Sequence, residues 1–448
     1  MALVAGSMLG IGIFIAPGEV AAQLDHPGTF LAVWLLGGLS ALAGALSIAE
    51  LGAMMPRAGG DYPYLRLAYG PGVAFAAGWL QLLAIFPGSL ATMAHGTANF
   101  QLPVVLGSYV DLPAQLGLPM ESSTFWAISI IVGLTALNHV GVALSGRVQL
   151  GLTGIPVVIL LVASLVVLVT QGGGGAWSNP GTFEFPEISA TAAAFLPIYF
   201  AYSGWYAAIF VGGEIKDPAR ALPRALVLGT AGVTLLYLIM CVGFLSVFDM
   251  GSLANVGEVG SAAAGALFGP VGTFGVTMLI VLAMFGSING TVLTGSRIGY
   301  AMAKHGHCVP AAGKLHPKHR TPVFALWMQA AFGIVLVATQ SFEELLNYTV
   351  AAMLVTGTLT VLAVVILRRK MPDTVRPYRT WGYPYTPFVY AVSSGLVFAV
   401  LATKAFAGPG DRDITVPMTL AWFVGALLIH RVFLRRREQP NSEYEPPT

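Results

Sequence analysis

Gly6-Ser7-Met8-Leu9-Gly10-Ile11-Gly12-Ile13-Phe14 places three glycines inside an otherwise apolar run at the start of the chain. Each glycine weakens a helix by about 1 kcal/mol relative to alanine. In lipid, backbone that leaves the helix survives only where it lines a cavity, because hydrocarbon offers no partner for its N–H and C=O groups. A second interruption, Phe200-Ala201-Tyr202-Ser203-Gly204-Trp205-Tyr206, falls at a matching place in the sixth apolar run. Taken alone, Gly10 and Gly12 fit close helix packing equally well. The matched pair, five spans apart, favours a binding site built from two broken helices.

Composition supports a membrane setting for these breaks. The chain has 448 residues, 56% hydrophobic and 9% charged, with a mean hydropathy of +0.76. Soluble domains carry about a quarter of their residues as charges. The deficit excludes a soluble enzyme, a secreted domain and a disordered chain. The apolar runs are long and continuous rather than alternating, so they predict helices and not a barrel. Runs at 2–23, 28–54, 73–105, 123–140, 148–170, 191–213, 222–247, 268–302, 322–340, 345–367, 386–407 and 414–434 predict twelve transmembrane spans. Met1–Gln23 lacks a basic leader and reads as a membrane helix, not a signal peptide. A net charge of +2 predicts no nucleic-acid partner. Cys241 lies in an apolar run and Cys308 in a basic loop. They predict no disulfide framework and no disulfide-linked ancillary subunit.

The twelve-span reading puts both termini on one side. With odd spans running outward, 20 of the 22 Lys and Arg fall on the inner side, and only Lys404 and Arg412 fall outside. Cytoplasmic loops collect Lys and Arg. Avoidance of the bilayer explains clustering in loops but not this one-sidedness. The expected location is a plasma membrane, of the bacterial inner-membrane type, with both termini cytoplasmic. Asp25, Asp111, Glu121, Glu184, Glu187, Asp249 and Glu258 fall in outer loops.

Unwinding at Gly10–Gly12 exposes amide N–H groups at the start of a half-helix, a place that suits a carboxylate. Carbonyls freed before that break and around Phe200–Ser203 suit an ammonium group. Together they predict a receptor for an α-amino acid that needs no charged side chain. Glu19 and Glu50 lie near the ends of apolar spans, where interfacial placement is expected. Glu214, beside Lys216, Asp217 and Arg220, is expected to join an inner gate or ion-pair cluster. His95 is expected to be packed or hydrogen-bonded. Asn289-Gly290-Thr291 and Asn347-Tyr348-Thr349 match the glycosylation pattern but sit in or beside membrane spans. No metalloprotease, Walker or dinucleotide motif is present, and no Ser-His-Asp arrangement is legible.

At this point the residues resemble a known family. Gly10-Ile11-Gly12-Ile13-Phe14, Ala49-Glu50-Leu51-Gly52 and Pro56-Arg57-Ala58-Gly59-Gly60-Asp61-Tyr62 are similar to motifs of the amino acid–polyamine–organocation superfamily. So are Phe200-Ala201-Tyr202-Ser203-Gly204-Trp205, Glu214-Ile215-Lys216-Asp217-Pro218 and Phe285-Gly286-Ser287-Ile288-Asn289-Gly290. The likeness is strongest to L-type amino acid transporters and their bacterial relatives. It implies an all-α integral membrane protein with a LeuT-like fold: two inverted repeats of five helices, 1–170 and 191–367, then two further helices in 386–434 and a cytoplasmic tail at 435–448. Helices 1 and 6 are then broken.

The resemblance also implies roles for residues. Amides near Ile11 and Gly12 would hold the substrate carboxylate. Carbonyls of Met8, Phe200 and Ser203 would hold its amino group, with the Phe200 ring as a gate. The expected substrate-contacting set is Met8, Gly10, Ile11, Gly12, Phe200, Ala201, Ser203, Gly204, Trp205 and Tyr206. Three departures stand out. Ile11 replaces a small polar residue between the glycines. Tyr206 stands where well-known L-type members have Asn. Pro156 stands where relatives often carry a Lys in place of a sodium ion, and no Lys precedes Lys216.

That junction of helices one, five and eight is then expected to take one of two forms. It holds a cation on carbonyls near Gly6–Leu9 and the hydroxyls of Thr153, Ser287 or Thr291, or it closes without an ion. Pro156 frees one carbonyl near Leu152. No metal or cofactor is expected beyond a possible coupling ion, sodium or proton. The leading function is a secondary amino acid transporter, for neutral substrates because no unpaired charge is available to match a charged side chain. A polyamine carrier would want carboxylates near the breaks, and none occurs there. A sensor of the same fold is expected to bring large extra domains, and a membrane enzyme to bring paired catalytic groups.

Overall fold

The computed structural model describes residues 1–56, 59–183, 186–404, 406 and 414–434. Arg57, Ala58, Glu184, Arg412 and the expected tail 435–448 lie outside the described residues. The chain starts with two helices, α1 (Ala2–Met8) and α2 (Gly12–Ala21), whose axes differ by 40°. Next come α3 (Pro27–Met54), a short α4 (Tyr62–Tyr69) and α5 (Pro71–Leu106). Then follow α6 (Ser122–Val140), α7 (Val142–Gln171), α8 (Ile188–Ala201), α9 (Pro218–Val247), α10 (Met250–Ala254) and α11 (Val259–Lys304). The last are α12 (Val323–Thr339), α13 (Phe342–Lys370), α14 (Tyr385–Lys404) and α15 (Thr415–Ile429).

Among the described residues, nine helices are long and apolar enough to cross a membrane, or ten if α1 and α2 form one span. Helices α8 and α12 are apolar but shorter. Large apolar side chains such as Val169, Leu235, Val271 and Leu396 are exposed on the outside of the bundle. The protein is a multi-pass membrane protein.

Proline and glycine shape the helices that reach the centre. A proline inside a helix clashes with the carbonyl four residues back and removes one hydrogen bond. In α5 the helix widens by one residue per turn at Gln81–Ile85 and again at Thr97–Gln101, just ahead of Pro87 and Pro103. Such bulges re-aim the next turn, here the one that carries Phe86, Ser89 and Met93. At about 1.5 Å per residue, the 46 residues of α11 would exceed any bilayer. The chain turns at Gly269, with φ 64°, directly before Pro270. The expected start of a span near residue 268 coincides with this turn.

Candidate functional site

A helix ends at each of the two sequence interruptions, and the two places touch. Helix α1 stops at Met8, where Gly10 N–H turns back onto the Met8 carbonyl at 2.7 Å. The N–H groups of Ile11, Gly12 and Ile13 bond to no acceptor among the described residues. Helix α8 stops at Ala201, and the chain turns through Gly204 at φ 89° into the short helical turns Ala207–Phe210 and Gly212–Glu214. A Cβ on Gly12 would lie 2.5 Å from Ala201 Cα, and one on Gly204 2.5 Å from the Ser7 carbonyl oxygen. Only glycine permits these two approaches.

A cavity of about 40 Å³ lies between the breaks. By the same measure a water needs about 10–15 Å³, so the space fits a few waters or a small solute. Ser7, Met8, Gly10 and Gly12 form one wall, and Phe200, Ala201, Ser203, Gly204, Tyr206 and Phe210 another. Helix α5 adds Ile85, Phe86, Ser89 and Met93, α11 adds Ser287, Thr291 and Thr294, and α13 adds Met353. No carboxylate or basic side chain lines it. The hydroxyls of Ser7 and Ser89 are buried without a hydrogen-bond partner.

Eight of the ten expected contact residues line this cavity. The other two do not. The Ile11 side chain packs toward Gly96 of α5. Trp205 turns away onto Gly44 of α3 and the Tyr390 ring of α14, 5.5 Å between centroids. The Met8 carbonyl is not free, as it accepts from Tyr237 Oη at 2.5 Å as well as from Gly10 N–H. Tyr237, on α9, also reaches the Ala201 carbonyl at 3.3 Å, so one hydroxyl ties both breaks together. A third donor at Met8 must displace one of the two present.

Behind Tyr206 lies a second, smaller cavity of about 10 Å³, walled by Phe195, Tyr199, Tyr202, Trp205 and Tyr390. Tyr206, Ser203 and Met353 line both spaces. Tyr206, the largest of the three, stands with Ser203 and Met353 between them.

The helix junction beside the site is filled by neutral amides. Asn138 Nδ2 donates to Asn289 Oδ1 at 2.8 Å, Asn289 Nδ2 to Gln149 Oε1 at 2.8 Å, and Gln149 Nε2 to Thr153 Oγ1 at 3.0 Å. All four residues are buried. Gly6 of α1 rests directly on Gln149 and Thr153. Ser287 Oγ reaches the Ser7 carbonyl at 3.4 Å, and Thr291 Oγ1 donates to the Ser287 carbonyl at 3.0 Å. Pro156 is buried, and Gly286 packs over the Leu152 carbonyl. No cluster of three or more His, Cys, Asp or Glu that could hold a metal occurs among the described residues.

On the basic side of the bundle, Glu214 pairs not with its neighbours Lys216 and Arg220 but with Arg297 of α11, at 2.9 Å. The Arg297 side chain is 4% exposed and that of Glu214 40%. Glu50 lies near the end of α3, and its side chain is buried there. It binds Arg368 at 2.6 Å and Arg376 at 3.1 Å, and accepts from Thr380 N–H at 2.7 Å. Asp61, at the start of α4, accepts from Gln81 Nε2 at 2.9 Å and Thr360 Oγ1 at 2.8 Å. Burial pushes its carboxyl up, against these two donors. Asp61 thereby pins α4 to α5 and α13. Glu19 is exposed, and His95 is hydrogen-bonded to Asn99 at 2.8 Å. Asn289 and Asn347 are both buried in the bundle, away from any glycosylation machinery.

A sequence model of the amino acid permease family matches residues 1–428. The chain belongs to this family. It is thus a permease of the amino acid–polyamine–organocation superfamily, as its motifs suggest. The permease is 31% identical over 427 residues to the serine/threonine exchanger SteT of Bacillus subtilis (strain 168), covering 94% of this chain and 93% of that one. It is 29% identical over 436 residues to the human large neutral amino acids transporter small subunit 2, covering 96% and 79%. It is also 29% identical over 452 residues to the human b(0,+)-type amino acid transporter 1, covering 94% and 90%. Ser89, Tyr237, Gln149 and Asn138 carry no motif in the sequence. Asn289 falls within the family-like stretch Phe285–Gly290 and within the glycosylation pattern, but neither pointed to a junction role.

Proposed function

We propose that this permease is a secondary transporter, not an enzyme, and that it carries small neutral α-amino acids by alternating access. The observation that carries the reading is the small, uncharged cavity between two helix breaks. Unpartnered amides at Ile11–Ile13 suit the carboxylate, since a helix start carries partial positive charge. Carbonyls at Phe200 and Ser203 suit the ammonium group, with Gly10, Gly12, Ala201 and Gly204 keeping the backbones close. The free hydroxyls of Ser7 and Ser89 favour a substrate with a short or hydroxylated side chain. The name of one relative, a serine/threonine exchanger, points the same way, whereas that of another, a large neutral amino acids transporter, points to larger substrates. The lack of a carboxylate in the cavity speaks against a polyamine.

In this reading α1 with α2 forms the first span and α8 with its following turns the sixth. With α12, the spans then number twelve, in repeats 1–170 and 191–367 followed by two helices in 386–434. Both termini lie in the cytoplasm of a cell whose plasma membrane holds the protein. The amide chain Asn138–Asn289–Gln149–Thr153 takes the structural place of a junction cation, so transport needs no sodium. Glu214–Arg297 closes the cytoplasmic side. Uptake of labelled alanine, serine, threonine, leucine, phenylalanine and putrescine into proteoliposomes tests the reading. The three small amino acids are expected to lead, and putrescine uptake in their place would overturn it.

Tyr206 is expected to set the size limit. In Tyr206→Asn the two cavities merge, and bulky neutral amino acids gain on small ones. A misfit of one or two methylenes is worth about 1–3 kcal/mol, or about 10–200-fold, so the expected shift in the leucine-to-alanine ratio is tens-fold. Competition assays read the ranking directly, and an unchanged ranking would remove Tyr206 from this role.

A further inference from the structure

An open apolar groove of about 550 Å³ runs along the outside of the bundle between α5 and α15. Phe75, Trp79 and Leu83 form one wall, and Trp422, Gly425 and Ile429 the other. Its volume is in the range of ligand sites, about 300–1,000 Å³. The groove faces the bilayer, and polar residues adjoin it at the end formed by Phe75 and Ile429.

That end lies on the side where the basic residues collect. The Phe75 ring is 5.2 Å from His307 and 5.6 Å from His430, and the two histidine rings are 5.3 Å apart. Gly72, at the start of α5, faces His430 Nδ1. Arg431 follows on the exposed surface. Arg66 of α4 stands close enough for its charge, after burial and His430, to help push His307 down to about 3. Its Nε and Nη1 are buried with no hydrogen-bond partner. Leaving two nitrogens of a guanidinium buried and unpaired is costly. An anion above the end of the groove would relieve it.

We propose that this groove binds an anionic glycerophospholipid, one acyl chain lying between Trp79 and Trp422 and the phosphate facing Arg66, His430 and Arg431. Juxtamembrane Lys and Arg attract anionic headgroups, and indoles favour the interface between chain and headgroup. A second copy of this chain is a poorer occupant. A twofold contact puts the same patch on both partners, so Arg66 and Arg431 would face their own like charges.

The test uses the full-length protein in nanodiscs of equal phosphatidylethanolamine and phosphatidylglycerol, released into native mass spectrometry. Wild type is expected to retain phosphatidylglycerol over phosphatidylethanolamine. Arg431→Gln, at an exposed position, is expected to lower that preference about fivefold, the worth of one basic residue near a membrane surface. In Gly425→Leu the new side chain starts in open space, with nothing within 4 Å of its Cβ, so the fold is undisturbed while the groove is filled. This variant is expected to lose the bound lipid. Equal retention of both lipids by wild type, phosphatidylglycerol retained by Gly425→Leu, or a lipid-free dimer would each overturn the proposal.

Discussion

Gly12→Val is expected to abolish uptake while the protein still inserts in the membrane. The obstacle at Gly12 is backbone. A Cβ there would sit 2.5 Å from Ala201 Cα and 3.0 Å from Ala201 N, and no side-chain rotation can make room. Overpacking costs about 1–3 kcal/mol even where neighbours can adjust, and a branched side chain also resists the local backbone. Because about 1.4 kcal/mol is a factor of ten, uptake per inserted molecule should fall at least tenfold. The neighbouring glycine supplies the control. A Cβ on Gly10 meets Ser287 Oγ at 3.5 Å, an ordinary contact, so Gly10→Ala should lose much less. Equal losses in both variants would mean that the Gly12–Ala201 crossing has no special place in the cycle.

The second large effect concerns Glu214 and Arg297, and it is asymmetric. Arg297 is shut inside the protein, whereas Glu214 keeps access to water. Glu214→Ala strands a buried guanidinium, apart from its contacts with the Leu293 carbonyl and the Ser296 hydroxyl. Breaking a buried pair this way costs about 3–5 kcal/mol, reduced here by screening at the exposed partner. Arg297→Met puts apolar volume where the stem already lies and leaves only a carboxylate that water can reach. Thermal unfolding in detergent should therefore place Glu214→Ala below Arg297→Met, and both below wild type. The same order should hold for cysteine labelling from the basic side, with Glu214→Ala the more open. A reversed order would show that the pair does not bear on closure of that side.

What was legible in the sequence was backbone chemistry. Gly12 and Gly204 announce close approaches by their type alone, and the Lys and Arg distribution predicts a one-sided topology. Apolar runs locate the helices because a membrane helix must be about 20 residues long. What stayed hidden depends on which face of a helix turns inward. Ser89 becomes visible only once the widened turns of α5 aim it at the cavity. Trp205 sits inside a site motif yet points to α3, because the chain turns between it and Ser203. The ion-pair cluster around Glu50 was hidden because its partners Arg368, Arg376 and Thr380 lie more than 300 positions away in the chain. The amide chain at the junction was invisible for the same reason: Asn138, Gln149 and Asn289 are ordinary polar residues until three helices bring them together.

The central claim is that an amino acid moves through this cavity without a sodium ion. It is tested most directly by counterflow in proteoliposomes loaded with unlabelled serine, with all sodium replaced by choline and the proton gradient collapsed. Labelled serine should accumulate inside to the same extent as in sodium buffer, driven by exit of the unlabelled pool. No accumulation under either condition, or accumulation that stops when sodium is withdrawn, would contradict the account.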